Sequence, residues 1–266
     1  MQHPLFLESI DERGVARLTL TRTEVHNAFN DQFIAEMTTV LRGFEEDQRV
    51  RVVALAAEGT SFSAGADLNW MRAMASYGEA ENLQDAEALA ELLRTLNFLS
   101  KPTIALVQGP AFGGGVGLVC ACDIAIASEE ASFALTEVKL GLVPSVISPY
   151  VIAAIGQRAA RRYLLTAEKF SAETAYYLGL VHRVVPPHAL ESAGDDLIET
   201  LLKNGPQAVS ECKDLIFAVA ERPASDEVIA DTARRIARVR VSPEGQEGLT
   251  AFLDKRKPNW QGPAND

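Results

Sequence analysis

The stretch that most narrows what this chain can become runs from Val107 to Asp123, VQGPAFGGGVGLVCACD. An apolar segment, Thr103 to Val107, breaks at Gly109-Pro110, and three consecutive glycines, Gly113, Gly114 and Gly115, then open what reads as a buried helix. Glycine costs about 1 kcal/mol relative to alanine in a helix interior, so helix stability does not ask for three of them. A glycine backbone lets another group approach its N–H closely, and the first N–H groups of a helix lack internal partners and sit at the positive end of its dipole. The turn therefore suits either an anion or oxyanion cradle or close strand–helix packing. A nucleotide phosphate loop is excluded, because neither Gly-Lys-Ser/Thr nor a GxGxxG with its acidic partner is present.

A chain of 266 residues can bury a large core, and 47% hydrophobic with 23% charged residues is ordinary for a globular protein. The net charge of -11 argues against nucleic acid and anionic lipid as partners, so an anionic ligand needs a local basic site. Cys120, Cys122 and Cys212 read as small core residues in a reducing compartment, and a lone C-x-C pair is weak grounds for a metal; none is expected. The N-terminus MQHPLFLESIDERG has the pattern of neither a signal nor a transit peptide, and no apolar run approaches the roughly 20 residues of a membrane span. The expected location is cytoplasmic.

Residues 5–10 and 15–21 read as a hairpin about a polar turn. Asn30 caps a helix whose apolar positions Phe33, Met37, Val40, Leu41 and Phe44 recur at three- and four-residue spacing. Residues 50–57 form a buried strand, followed by a second small-residue turn, SFSAGADL, around Gly65, and a helix over 86–99. With the 103–107 strand, the glycine turn and a strand over 123–127, this makes three strand–turn–helix passes, a repeating coiled α/β framework. From Ile147 onward the pattern is helical, with Ser171 capping a helix, a short strand over 181–185, and amphipathic segments over 190–203, 206–220, 225–241 and 243–257. The expected division is a core over 1–195 and a helical appendage over 196–266.

Glu137 stands among apolar neighbours in SFALTEVKLGLVP. An ionised carboxylate in such company is either paired with a cation, Lys139 or an arginine, or held toward neutrality for proton transfer.

Together, FSAGADL (62–68), KPTIALVQGPAFGGG (101–115), CDIAIAS (122–128), FALTEVKLGLVP (133–144) and EGLTAFLDKRKPNW (247–260) resemble, in order and spacing, the enoyl-CoA hydratase/isomerase or crotonase family. The resemblance implies a crotonase-like ββα spiral with a C-terminal helical trimerisation region, assembled as a homotrimer or a dimer of trimers. It implies an acyl-CoA thioester as substrate and no cofactor. By the same likeness, the N–H groups of Ala66 and Gly114 polarise the thioester carbonyl and Glu137 moves the proton. Ala64, Ala66, Asp67 and Leu68 would line the pantetheine and adenine side, while Phe252 and Lys255 would reach a neighbouring subunit's coenzyme A. Lys255-Arg256-Lys257 is then a phosphate site or else a solvated helix end. Asp123 is expected to be structural.

Hydratases of the family usually carry a second Glu where this chain has Gly117. Three readings remain: a single-carboxylate hydratase, a Δ3,Δ2-enoyl-CoA isomerase, and a non-catalytic acyl-CoA-binding member. GGGVGLVCACDIAIA with EVKLGLVPSVISPYV resembles most closely the bacterial methylglutaconyl-CoA hydratases, which puts the hydratase first. Space at Gly117 is expected to admit a branched acyl group, with a hydroxyl of Ser145 or Ser148 helping to hold water. Arg72, Lys139 and Arg158 are candidates for a distal substrate carboxylate.

Overall fold

The polar turn after Ile10 closes a hairpin in which β1 (Phe6–Ile10) pairs antiparallel with β2 (Val15–Leu20), Phe6 opposite Leu20. The computed structural model describes residues 4–262. Next come α1 (Asp31–Glu46), β3 (Val52–Ala57), α2 (Leu68–Met74), α3 (Glu79–Asn97), β4 (Thr103–Val107), β5 (Ala111–Phe112), α4 (Gly114–Ala121), β6 (Ile124–Ser128) and β7 (Ser132–Ala134). After these follow α5 (Ser148–Thr166), β8 (Phe170–Ser171), α6 (Ala172–Leu178), β9 (Arg183–Val185), α7 (Leu190–Leu202), α8 (Pro206–Val219), α9 (Asp226–Arg240) and α10 (Pro243–Leu253).

The strands form a six-stranded sheet in the order β1-β2-β3-β4-β6-β9, parallel from β2 onward, and a small sheet β5-β7-β8. Alternation along the strands divides the core in two. Ala16, Val53, Leu55, Ala105 and Val107 face the side covered by α1, α3, α4 and α5, while Val15, Val52, Ala54, Ile104 and Leu106 face α7. Burial on both faces explains why β3, VVALAA, reads as an unbroken apolar run.

A second layer completes the repeat. Phe29 bridges Ala66, Ser63 bridges Ala111, and Phe112 in β5 lies opposite Ala134 in β7, all parallel. Each pass thus contributes a long strand to the main sheet, a short extended contact to the second layer, and then a helix. Successive coils are stitched together along that second layer.

The capping residues behave as expected: Asn30 accepts from the Phe33 N–H at 2.9 Å and Ser171 from the Thr174 N–H at 3.2 Å. Two expectations need correction. A boundary at 195/196 falls inside α7, a continuous helix whose Ala193, Ile198 and Leu202 are buried against the sheet, so the appendage is α8 to α10. Cys212 is exposed on α8, unlike buried Cys122 and half-buried Cys120. Helix α3 also starts seven residues earlier than its apolar spacing indicates, because the Glu81 carboxylate accepts from the Gly78 N–H at 2.5 Å and nucleates an exposed first turn.

Asp123 ties the appendage to the core. Its Oδ2 accepts from the Thr103 N–H at 2.7 Å and hydroxyl at 2.9 Å, and from Lys213 Nζ of α8 at 2.8 Å.

Candidate active site

Two small-residue turns in successive coils meet at one place. The first follows β3 and passes through Gly65, at φ +85, a left-handed conformation that a side chain would strain. Phe29 N–H donates to the Gly65 carbonyl at 2.8 Å, and Asp67 N–H donates to the Phe29 carbonyl at 2.9 Å. The intervening residue, Ala66, therefore turns its own N–H away from the Phe29 segment. The second turn follows β5 and passes through Gly113, at φ +50, whose N–H is held by the Ala134 carbonyl at 2.9 Å. Gly114 then begins α4, so its N–H has no partner within the helix. Among the described residues, neither the Ala66 nor the Gly114 N–H has a hydrogen-bond acceptor.

The turns are in contact. A Cβ on Gly65 would lie 2.9 Å from the Phe112 carbonyl oxygen and 3.5 Å from the Gly114 nitrogen. A Cβ on Gly114 would lie 2.4 Å from the Phe29 ring, and one on Gly115 2.6 Å from the Ser63 carbonyl oxygen. Both offices proposed for the glycines are thus filled by different members of the triplet: Gly115 permits close packing, while Gly114 leaves a main-chain donor free.

Glu137 opens a short 3-10 turn (Glu137–Leu140) directly after β7. Its Oε1 stands 3.0 Å from where a Gly113 Cβ would be, and its Oε2 is buried without a hydrogen-bond partner. No cation pairs with it among the described residues, and Lys139 lies exposed on the same turn. Burial pushes the carboxyl above the usual glutamate range. The choice between ion pair and proton carrier is therefore decided against the ion pair. A half-buried, unpaired carboxyl beside two free N–H donors can exchange a proton with a bound molecule whose oxygen those donors hold.

The other sequence-derived positions divide. Asp67 is buried, caps α2 by accepting from the Asn69 N–H at 2.8 Å, and accepts from Arg22 at 2.9 Å. Burial alone would raise its pKa, but those partners hold the carboxyl below the usual range, so its side chain serves the turn and is not free for a ligand. Ala64 and Leu68 flank that turn and are exposed. Phe252, 82% exposed, and Lys255 lie at the end of α10, which packs on α8 and α9. Arg256 of the basic cluster is taken up by Glu247, at 2.7 and 2.8 Å. Arg72, Lys139 and Arg158 are exposed, with Arg72 on Asn69 at 2.7 Å.

The expected space at Gly117 is absent. A Cβ there would lie 2.4 Å from Ile147 Cγ2 and 3.6 Å from Leu93 Cδ1, so a hydrocarbon plug occupies the position of a second carboxylate. Ser145 is exposed, and its carbonyl accepts from the Ser148 hydroxyl at 2.8 Å, so that hydroxyl's proton is already committed. Ile147 and Phe29 shape this site, and neither stands out in the sequence; Ile147 sits one residue and Phe29 two residues before a helix, where apolar periodicity says nothing of its direction.

The family model described as enoyl-CoA hydratase/isomerase matches residues 11–263. The chain is 35% identical over 262 residues to an enoyl-CoA hydratase, ACTT6, of Alternaria alternata, covering 96% of this chain and 84% of that protein. It is 32% identical over 264 residues to a mitochondrial Δ(3,5)-Δ(2,4)-dienoyl-CoA isomerase of Dictyostelium discoideum, covering 96% and 90%. The crystal structure of an enoyl-CoA hydratase from Shewanella pealeana superposes with a TM-score of 0.94 at 48% identity, covering 97% of this chain and 96% of that one.

Proposed function

This chain belongs to the enoyl-CoA hydratase/isomerase family, and from that premise we propose that it adds or removes water across the double bond of a branched or carboxylated 2-enoyl-CoA such as 3-methylglutaconyl-CoA. The observation that carries the reading is Glu137: a carboxyl raised by burial, beside the glycine turn, with no cation on it and no partner on the turn's N–H groups among the described residues.

In the hydration direction the thioester oxygen accepts from the Ala66 and Gly114 N–H groups. Ionised Glu137 takes a proton from water as the water oxygen bonds to C3. The C2–C3 π electrons move onto the thioester, leaving an enolate whose oxygen carries the new charge. Preorganised donors at such an oxygen are worth about 3–4 kcal/mol each. Protonated Glu137 then returns the hydrogen to C2, and the carbonyl reforms. One carboxyl serves both transfers, so a second at residue 117 is not required.

The branched, carboxylated acyl group rests on the sequence likeness around 113–151. The oligomer, a homotrimer or a dimer of trimers, is supported by apolar side chains exposed on the appendage, among them Ile216, Ile229, Ile236 and Phe252. A neighbouring copy would then bring Phe252 and Lys255 to the coenzyme A. The same reading makes it a cytoplasmic enzyme with no nucleic-acid or membrane partner and no cofactor beyond the thioester.

A specific observation favours the alternative, a Δ3,Δ2-enoyl-CoA isomerase. Ile147 fills the space at Gly117 where a second carboxyl would stand, and moving one proton between two carbons needs only one base. Assays on 3-methylglutaconyl-CoA, crotonyl-CoA and a 3-enoyl-CoA, with Glu137→Gln as control, separate the two. Water addition lost in Glu137→Gln supports the hydratase, and bond migration without hydration supports the isomerase. Silence on all three substrates refutes both and leaves a binding protein.

A further inference from the structure

Gly117 and Cys120 lie at i and i+3 on α4 and so share one stripe, and Gly113 caps the helix one turn before Gly117. At the level of Gly113 the stripe meets the Glu137 carboxyl. At the level of Gly117 it is closed by Ile147 and Leu93, which are 3% and 0% exposed. At the level of Cys120 it opens again, into a cleft of about 550 Å³ that reaches the surface between the exposed rings of Phe98 and Phe217.

That cleft is lined by Cys120 together with Asn97 and Phe98 from the end of α3, Tyr150 and Ala154 from α5, and Phe217 from α8. One turn along α3 leads from Leu93 to Asn97, and one turn along α5 from Ile147 to Tyr150. The three helices that meet at the plug are therefore the same three that line the cleft beyond it. With about 5.4 Å per turn, the cleft begins roughly 10 Å from the Glu137 carboxyl. Its wall is mostly hydrocarbon and aromatic, with Asp123 and His182 its polar residues besides Asn97, and burial pushes the Cys120 thiol up to about 12, so that group faces the cleft uncharged.

We infer that this cleft is a latent acyl-tail pocket and that Ile147, seated on Gly117 beside Leu93, is the specificity-determining residue that seals it from Glu137. The inference rests on the acyl-CoA reading above. A thioester held at Ala66 and Gly114 with C2 at Glu137 directs a short acyl group toward the plug, where it ends. A longer chain finds no passage and leaves its added methylenes in water. Opening the plug would let them enter, each buried methylene being worth about fourfold in affinity.

The test is calorimetric titration with saturated butyryl-, octanoyl- and decanoyl-CoA, which bind without undergoing hydration. Wild-type affinity is expected to stay level from butyryl to decanoyl. Ile147→Ala, which removes three carbons from the plug, is expected to gain about tenfold or more over the same series. Cys120→Phe in that background refills the cleft and is expected to abolish the gain. If Ile147→Ala does not fold, Ile147→Val is expected to show a smaller gain of the same sign. A wild-type affinity that already climbs with chain length overturns the seal. So does a level profile in the folded Ile147 variant, or a gain that survives Cys120→Phe. Turnover is scored separately: a level wild-type series that rises in the variant, with no enoyl-CoA converted, upholds the gate and sinks the hydratase and isomerase readings. Failure to bind any acyl-CoA overturns both.

Discussion

Replacing Gly114 by alanine tests whether the two main-chain donors are held as a pair. Gly114 has an ordinary negative φ, so the backbone tolerates alanine, and the cost comes from contact alone. The new methyl would lie 2.4 Å from Cζ and 2.6 Å from Cε2 of Phe29, where carbon atoms ordinarily rest about 3.5–4.0 Å apart. Phe29 is 1% exposed and stacked on Phe33 at 5.6 Å between ring centres, so the ring cannot turn aside and must retreat by about 1 Å. Its backbone holds Gly65 and Asp67, the two neighbours of Ala66, so the retreat displaces the second donor as well as the first. A misplacement of this size at a reacting centre costs about 100-fold in turnover, while overpacking of a core costs about 1–3 kcal/mol, or a few degrees in Tm. The expected outcome is a folded protein with kcat down about 100-fold and KM for crotonyl-CoA or 3-methylglutaconyl-CoA changed much less. Phe29→Leu added to Gly114→Ala should recover part of the loss by making room for the methyl. A folded Gly114→Ala enzyme with wild-type kcat would refute the coupling of the two turns.

Glu137→Gln should lower turnover by about 10² to 10⁴-fold, read in the same assay. Because burial raises the folded pKa above 4.5, the unfolded chain ionises first as pH rises, and stability is lost from there until the folded carboxyl has ionised too. Glu137→Gln should therefore melt higher than wild type at pH 7 and lose that advantage below pH 4, measured by thermal unfolding. The acid limb of kcat/KM should fall above the 4.5 of an ordinary glutamate. Lys213→Ala, which removes the charge-assisted bond to Asp123, should cost about 1.5–3 kcal/mol in denaturant unfolding with little change in KM. Gly117→Glu alone should fail to create a second catalytic carboxyl, because its side chain runs into Ile147 from 2.4 Å; a soluble, faster variant would contradict the plug.

Much of this architecture could be read from the chain because local chemistry and tertiary packing agree there. Asn30 and Ser171 cap where their hydroxyl or amide oxygens imply, and the two-sided burial of β3 and β4 is written in their unbroken apolar runs. The glycine turns and Glu137 could be singled out because their residue types conflict with their surroundings. What the neighbours of Gly117 do could not be read, since a glycine signals that something comes close and leaves open whether it is a ligand or Ile147. The early start of α3 was equally hidden, because its first turns are exposed and carry no apolar period. Asp67 misleads for a related reason: its motif position suggests a ligand contact, while Arg22, 45 residues upstream, is the partner that claims it.

The parallel contacts of the second layer, Phe29 on Ala66 and Ser63 on Ala111, have a consequence for how such a protein can change. The gap between the two amides is set by the pitch between one coil and the next, and no side-chain replacement at residue 66 or 114 can delete either nitrogen. A mutational survey would therefore register the polarising machinery only as an intolerance of bulk, while the acid at 137 would register by name. On the proposed reading, substitutions at the acid, its neighbours and the tail pocket can alter the reaction while the two amides that would polarise the thioester stay in place.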